Sequence, residues 1–231
     1  MASSEFSFSE AIAAVLKTSQ AISDRLQAAA TITGERIGPV LYEFVEQGTE
    51  NMGRVITPIA ENPFVKFATK VPGISWLFAA LGQVNAERVQ RDVAELQRKY
   101  PADTPEQLAH RVMLDTAWKA AGIGLATNFI PPLALTLFAI DLAAVSALQA
   151  EMIYRIAVIY GFSPAEPARR GEVITLWALF TGSSELMKLG LSVVELLPGI
   201  GAIVGTSSSA SLVYGMGYLS TLFYQEKRKS L

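Results

Sequence analysis

Two long runs without a charged residue constrain the fold of this chain more than any other feature. The first covers the 21 residues 120–140, and the second covers the 30 residues 196–225. As an α-helix the first run would extend about 31 Å, close to the thickness of the hydrocarbon core of a bilayer. Between the runs, residues 173–194 are apolar apart from Glu185 and Lys188. These lengths favour either membrane helices or helices buried in the centre of a helical domain.

Three features argue against a straight membrane span through the first run. Asn128 and Pro131-Pro132 lie near its middle, and Asp141 follows it directly. Proline removes a helical hydrogen bond, so we expect one helix to end and another to begin there. Basic residues flank the run on both sides, so they indicate no orientation in a bilayer. The later run is rich in Gly and Ser rather than Leu and Phe. Insertion into a membrane and a buried helical hairpin therefore both remain open.

Composition excludes several classes of function. The chain has no cysteine and one histidine, His110, so it has no disulfide, no thiol nucleophile and no zinc-thiolate site. A net charge of −2 argues against nucleic-acid binding, so we predict no nucleic-acid partner. No G-x-S-x-G motif, phosphate-binding loop or acidic metal-ligand spacing occurs. We therefore predict no catalytic residues, no metal site and no cofactor.

Helical signals dominate the chain. We expect helices over 8–30, 85–100, 105–128, 133–160, 173–194 and 199–225, and short helices joined by turns over 33–73, where glycine and proline recur. Ser163 and Glu166 repeat the spacing of a capping box, but Pro167 leaves the start of the fifth of these helices open. Thr104 and Gln107 have the spacing of a capping box, and Gly161 is a helix stop. The predicted fold is all-α, a helical bundle with an apolar C-terminal core packed through small residues. We expect an amphipathic N-terminal region (1–103) and an apolar region (104–231), packed together as one domain.

Small residues recur at helical spacing in the last apolar run. Gly201, Gly205 and Ser209 lie four residues apart, and Gly217 continues their face two turns later. Such a stripe lets the backbone of a neighbouring helix approach closely. We therefore predict that these four residues pack against another helix.

Asp141 and Gln149 are the candidate ligand-binding residues. Asp141 interrupts an otherwise apolar helix, and a charge in such a place needs a partner or a function. A structural contact is one interpretation, with Glu151 and Arg155 forming an ordinary pair four residues apart. The other is that Asp141 and Gln149 orient the polar end of a lipid or other apolar ligand in a cavity.

Two further polar features have simple interpretations. His110 lies in an amphipathic helix beside Arg111, where a half-exposed surface histidine is the common case. Lys227-Arg228-Lys229 follows the last apolar run. These residues either pair with anionic lipid headgroups or form a solvated tail.

The segment from Thr104 to Phe162 resembles the EcsC family. Its members have a small-residue helix, an apolar helix containing an aspartate, and the ending I-A-x-x-Y-G; here these are Asp141 and the residues 156–161. The later PGIGAIVG and Gly215/Gly217 are also similar to the family's closing helices and to the helical domain that follows some membrane-linked bacterial GTPases. The resemblance implies membrane association in a bacterial transport or envelope context. It implies no catalytic residue.

The expected function is that of a non-catalytic, membrane-associated accessory or scaffold protein of EcsC type. Residues 1–10 carry neither a basic residue nor an apolar segment, unlike a secretory signal, which indicates the cytoplasmic side of the membrane. Its partners would be membrane lipid and a membrane protein. The alternative is a soluble cytoplasmic carrier that binds a lipid or other apolar ligand in a cavity between the central helices.

Overall fold

The protein is an all-α helical bundle. The computed structural model describes residues 34–59, 81, 84–128, 134–182 and 209–231, and these ranges contain helices and turns but no strand. Six helices are numbered here in chain order: α1 (Gly34–Ile59), α2 (Ala86–Lys99), α3 (Pro105–Asn128), α4 (Ala134–Ile159), α5 (Ala168–Gly182) and α6 (Ser209–Lys229). The predicted helix over 8–30 lies outside the described residues.

The α2 helix is amphipathic and follows its sequence pattern. The Asn85 side chain accepts a hydrogen bond of 2.9 Å from the Arg88 backbone N–H and so caps the first turn. Val89 and Val93 are buried, whereas the opposite face of α2 is exposed. The buried face packs on α4. The predicted one-sided helix is confirmed.

The start of α3 is a reciprocal capping box. The Thr104 backbone N–H donates to Gln107 Oε1 at 2.8 Å, and the Gln107 backbone N–H donates to Thr104 Oγ1 at 3.3 Å. Both bonds satisfy backbone donors that have no partner within the helix. The predicted helix start is confirmed.

Gly161 ends α4, as its sequence position predicts. Its φ of +94° lies in the region that residues with a Cβ rarely adopt. The Phe162 N–H donates to the Ala157 carbonyl at 2.9 Å, and the Gly161 N–H donates to the Val158 carbonyl at 3.0 Å. This arrangement satisfies the last carbonyls of α4 and turns the chain toward α5.

The start of α5, which the sequence leaves open, lies between the capping spacing at Ser163 and the predicted helix from Val173. Residues 163–167 form turns, in which the Ala165 N–H donates to Ser163 Oγ at 3.3 Å, and the helix starts at Ala168. Pro167 directly precedes that start. The predicted continuation beyond Gly182 lies outside the described residues.

The prediction of short helices over 33–73 is wrong for residues 34–59, because α1 is one continuous helix of 26 residues. Gly48 of α1 serves close packing rather than a turn. A Cβ at Gly48 would overlap Thr175 Cγ2 of α5, and a Cβ at Gly171 of α5 would lie 3.0 Å from Thr49 Cγ2. A glycine of each helix thus packs against a threonine of the other helix. Pro39 is exposed and leaves this contact undisturbed.

The helices α3, α4 and α6 share two contact layers. In the first layer, Gln225 Nε2 of α6 donates to Glu106 Oε1 of α3 at 3.2 Å, and Tyr160 at the end of α4 interacts with both residues. In the second layer, Gly217 of α6 lies against Met113 of α3 and Met152 of α4. From the first layer to the second, residue numbers rise along α3 and fall along α4 and α6. The helix α3 therefore runs antiparallel to the other two.

The first charge-free run is divided between two helices. Its described residues belong to α3, up to Asn128, and to α4, from Ala134, and the two helices pack against each other. The predicted break at Pro131-Pro132 lies outside the described residues. Within the described residues, no helix combines the length and the apolar character needed to cross a membrane.

Candidate functional site

The predicted ligand-binding residues lie in or beside the central helix α4. Gln149 is buried, with 7% of its surface exposed. It lines neither of the two cavities described below. Asp141 belongs to the α4 backbone, but its side chain lies outside the described set. The two residues are therefore on the same helix, and no described contact joins them in a ligand site.

The small-residue stripe is described only at its C-terminal end. A Cβ at Gly217 would lie 2.5 Å from Met113 Cγ and 3.0 Å from Met152 Sδ, so α6 contacts α3 and α4 closely at this position. Ser209 is the first residue of α6. Gly201 and Gly205 lie outside the described residues.

A buried ionic cluster joins α5 to α6. Arg169 is 1% exposed, and Glu172, one turn later on α5, is fully buried. Arg169 Nη1 donates to Glu172 Oε2, and the Tyr224 hydroxyl of α6 donates to the same oxygen at 2.8 Å. The hydroxyl also lies 3.4 Å from Arg169 Nη1. The buried carboxylate thus has an opposite charge and a hydroxyl donor as partners.

Lys227 extends this cluster to α1. Its Nζ donates to Glu172 Oε1 at 2.8 Å and also to Glu46 Oε1 of α1. At the surface, Glu166 Oε2 accepts from Arg169 Nη2 at 2.9 Å. We call the residues Glu46, Glu166, Arg169, Glu172, Tyr224 and Lys227 the buried ionic cluster. It connects three helices that are far apart in sequence.

Burial and charge shift the pKa of Tyr224 in the same direction, but those of Arg169 and Lys227 in opposite directions. Burial raises the pKa of Tyr224 well above its ordinary value, and the nearby Glu172 carboxylate raises it further. For Arg169 burial disfavours the cation, but Tyr224 and Glu172 outweigh it and raise the pKa. Hydrogen bonds from Lys227 to Glu172 and Glu46 likewise outweigh burial and raise the lysine pKa. Arg169 and Lys227 therefore stay charged and Tyr224 stays protonated at neutral pH.

The arrangement of the buried ionic cluster suits a structural role. Both oxygens of Glu172 are occupied by donors from the protein itself. Sequence reasoning missed the cluster, because Arg169 and Glu172 have the spacing of an ordinary surface pair and Lys227 lies in a polar C-terminal segment. The one available signal was that both pairs of positions, 169/172 and 224/227, have the i,i+3 spacing of one helix face.

A second polar region surrounds His110. The chain forms an open depression of about 360 Å³, which is lined by Asp103, Glu106, Gln107, His110, Arg111 and Leu114. His110 is partly buried, and its Nδ1 lies 2.7 Å from the Tyr214 hydroxyl of α6. Burial lowers the pKa of His110, and the Arg111 charge lowers it further. The predicted half-exposed histidine is confirmed, but its tyrosine partner was not predicted.

Arg155 joins α2 to α4. The predicted pair with Glu151 is confirmed at 2.5 Å, and Arg155 Nη2 also donates to Asp92 of α2 at 2.6 Å. A smaller cavity of about 120 Å³ lies beside this arginine, next to Val93 and Val112. Its volume is too small for a lipid chain.

Charge is distributed unevenly along the three central helices. We call residues 120–128 of α3, 134–150 of α4 and 209–216 of α6 the low-charge end. Asp141 is their one charged residue. Apolar side chains there are partly exposed, including Ala121, Leu148 and Leu212. The opposite end, where Glu106, Tyr160 and Gln225 meet, is rich in charge, and we call it the polar end.

Within the described ranges, no group of three or more His, Asp and Glu side chains is placed to hold a metal ion. Comparison of the chain with protein-family models, with curated proteins and with solved structures finds no match in any of the three. The resemblance to the EcsC family therefore depends on the residues quoted above alone.

Proposed function

We propose that this protein is a non-catalytic, membrane-associated accessory or scaffold protein of EcsC type. The observation that carries the proposal is the distribution of charge along α3, α4 and α6. Three neighbouring helix segments have a single charged residue, Asp141, at the low-charge end, whereas the polar end has many. A bundle end with so few charged residues is suited to contact with an apolar environment.

The side chains at the low-charge end support this assignment. Ala121, Leu148 and Leu212 each leave part of their surface exposed, and Trp118 at its border is 50% exposed. Ala121, Leu148 and Leu212 also pack against the core, so Trp118 and the exposed parts of these three side chains are the described apolar surface that a membrane could contact here.

The non-catalytic part of the proposal is supported by the contacts that the polar side chains make within the protein. The carboxylate of Glu172 is saturated by protein donors, and Arg155 is held by Asp92 and Glu151. The depression beside His110 has no serine or threonine among its described lining residues to act as a nucleophile. These contacts fix helices to one another rather than prepare a reaction.

The carrier alternative has less support among the described residues. A ligand cavity of the usual kind encloses most of its ligand and is largely apolar. The larger described cavity is an open depression with charged walls, and Gln149 does not line it. The test below nevertheless distinguishes the two functions.

Cell fractionation and lipid extraction test the proposal. The full chain, expressed without detergent, is expected in the membrane fraction and should stay there after a high-salt wash, because apolar contacts are not screened by salt. Recovery as a monodisperse soluble protein with a stoichiometric extracted lipid would favour the carrier instead. Recovery as a soluble protein without lipid, and without binding to vesicles, would contradict both.

A further inference from the structure

His110 of α3 and Tyr214 of α6 form a hydrogen bond whose direction depends on one proton. The imidazole Nδ1 lies 2.7 Å from the Tyr214 hydroxyl, and the two ring planes meet at 83° with their centroids 5.8 Å apart. Tyr214 is only 2% exposed, whereas His110 is partly exposed and lines the open depression. The tyrosine is therefore shielded from water, while the imidazole is not.

Tyr214 has a hydroxyl proton that needs an acceptor. Burial and the neighbouring Tyr218 raise the pKa of Tyr214 to about 12, so the hydroxyl stays protonated in neutral and acidic solution. Among the described hydrogen bonds, this hydroxyl has one partner, which is His110 Nδ1. A buried hydroxyl proton without an acceptor is costly. The geometry therefore favours donation from the Tyr214 hydroxyl to Nδ1.

This donation determines the tautomer of His110. Nδ1 accepts a hydrogen bond only in the neutral imidazole that carries its proton on Nε2. A hydrogen bond made to the neutral form disfavours the charged form. The contact with Tyr214 therefore acts in the same direction as burial and the Arg111 charge, which lower the pKa of His110.

The charged groups beside the imidazole on α3 already have partners. Arg111 Nε lies 2.5 Å from the Asp103 carboxylate, and the Arg111 guanidinium stacks 3.7 Å from the centre of the Tyr100 ring. Glu106, one turn before the histidine, accepts from Gln225 at 3.2 Å. In the described part of the chain, neither carboxylate forms an ion pair with the imidazole.

The helix α3 packs mainly against α4 and α6, and these two add few charges near the contact. The helix α6 has no charged residue before Glu226, and its titratable groups here are Tyr214 and Tyr218. On α4, Glu151 and Arg155 are paired with each other at 2.5 Å. A proton added to the imidazole therefore acts mainly on its contact with Tyr214.

We propose that the hydrogen bond between His110 and Tyr214 is an acid-sensitive contact that holds α6 on α3. At neutral pH the tyrosine hydroxyl donates to the imidazole. Protonation places a hydrogen on Nδ1, so two donors face each other, and the buried hydroxyl proton loses its described acceptor. The contact therefore weakens in acid. This inference does not depend on the proposed function, because both residues lie within the bundle.

NMR of the imidazole ring tests the direction of the hydrogen bond. In the wild-type chain at neutral pH, the nitrogen shifts should show the tautomer with its proton on Nε2. Tyr214→Phe keeps the ring and removes the hydroxyl, so the titration midpoint of His110 should rise toward its ordinary value. The matched control is Tyr218→Phe, one turn later on α6, which should leave the midpoint unchanged.

Urea denaturation at about pH 7 and about pH 5, on either side of the ordinary histidine pKa, tests the consequence for stability. Acid should destabilise wild type and Tyr218→Phe, because the unfolded chain takes up the histidine proton first. The loss should be smaller in Tyr214→Phe, whose hydroxyl is absent at either pH.

Three results would overturn the proposal. The first is a wild-type tautomer with its proton on Nδ1, a measurement that needs no variant to fold. The second is an equal titration midpoint of His110 in wild type and Tyr214→Phe. The third is an equal loss of stability in acid for these two chains.

Discussion

The Tyr224 hydroxyl donates a hydrogen bond of 2.8 Å to the carboxylate of Glu172, a glutamate with no exposed surface. Removing a carboxylate from water costs several kcal/mol unless charges and hydrogen bonds compensate. Here Tyr224, Arg169 and Lys227 provide that compensation. The position of α6 relative to α5 therefore depends on polar contacts as well as on apolar packing.

The first prediction concerns this carboxylate. Glu172→Gln should lower the free energy of unfolding by about 3–5 kcal/mol, because it removes the one fully buried counter-charge of Arg169 and Lys227 and leaves them only their more exposed partners. The double variant Arg169→Met/Glu172→Leu should cost less than Glu172→Gln, since it removes charge and partner together. Urea denaturation measures both.

The matched control for this series is the exposed pair Glu226 and Lys229, three residues apart on α6. Lys229→Gln should change the free energy of unfolding by less than about 1 kcal/mol, as expected for a surface ion pair. Equal losses for Glu172→Gln and Lys229→Gln would contradict the importance of burial.

The second prediction compares two glycines. Gly217→Ala should destabilise the protein by about 1–3 kcal/mol, because its Cβ overlaps the side chains of Met113 and Met152. Gly122→Ala should instead stabilise it by up to about 1 kcal/mol, since that Cβ points into open space in a helix. Thermal unfolding of both variants measures the difference, and changes of the same sign would contradict the close contact at Gly217.

The third prediction concerns the contact of α1 with α5. Gly48→Ala should destabilise the protein because the new methyl group overlaps Thr175 Cγ2. Adding Thr175→Ala removes that methyl group, and the double variant should regain part of the loss. The comparison is a double-mutant cycle in which a coupling of about 0.5–3 kcal/mol is expected for residues in contact. Strictly additive losses would show that Gly48 and Thr175 do not touch.

Local sequence signals predicted the ends of several elements well. The reciprocal bonds of Thr104 and Gln107 and the positive φ of Gly161 each depend on residues within five positions of one another. Side-chain periodicity likewise predicted the buried face of α2. These features are decided by short-range chemistry, so the sequence is sufficient to find them.

Features that depend on distant partners could not be predicted. The glycines of α1 indicated turns, yet Gly48 is helical because it packs against Thr175, 127 residues away in sequence. Lys227 resembled part of a solvated tail, but Glu46 and Glu172 enclose it. Only the packing of α1, α5 and α6 brings these groups together. For the same reason, His110 could not be paired with Tyr214 in advance.

The fourth prediction is a pH dependence from the single histidine. Burial and the Arg111 charge lower the pKa of His110 in the folded chain, below the unfolded value of about 6.5. The unfolded chain therefore takes up this proton first as the pH falls. The free energy of unfolding should decrease as the pH drops from about 7 through the folded pKa, and then level off with respect to this group.

NMR of the imidazole ring measures this directly, because one histidine gives one set of signals. Arg111→Gln should shift the midpoint upward, toward the ordinary value, whereas Arg98→Gln on the exposed side of α2 should leave it unchanged. A wild-type midpoint at or above 6.5 would show that the folded protein does not disfavour the charged imidazole.

Flotation with vesicles tests membrane association through the low-charge end most directly. Purified chain is mixed with vesicles of phosphatidylcholine alone in high salt, and the bound fraction is compared for wild type, Gly122→Ala and Gly122→Asp. We expect wild type and Gly122→Ala to float, and Gly122→Asp to bind at least about tenfold more weakly, because it adds a second carboxylate, besides that of Asp141, to the low-charge end, and ionised side chains are costly in an apolar environment. A wild-type chain that stays at the bottom of the gradient, or a Gly122→Asp chain that floats as well as wild type, would contradict the account.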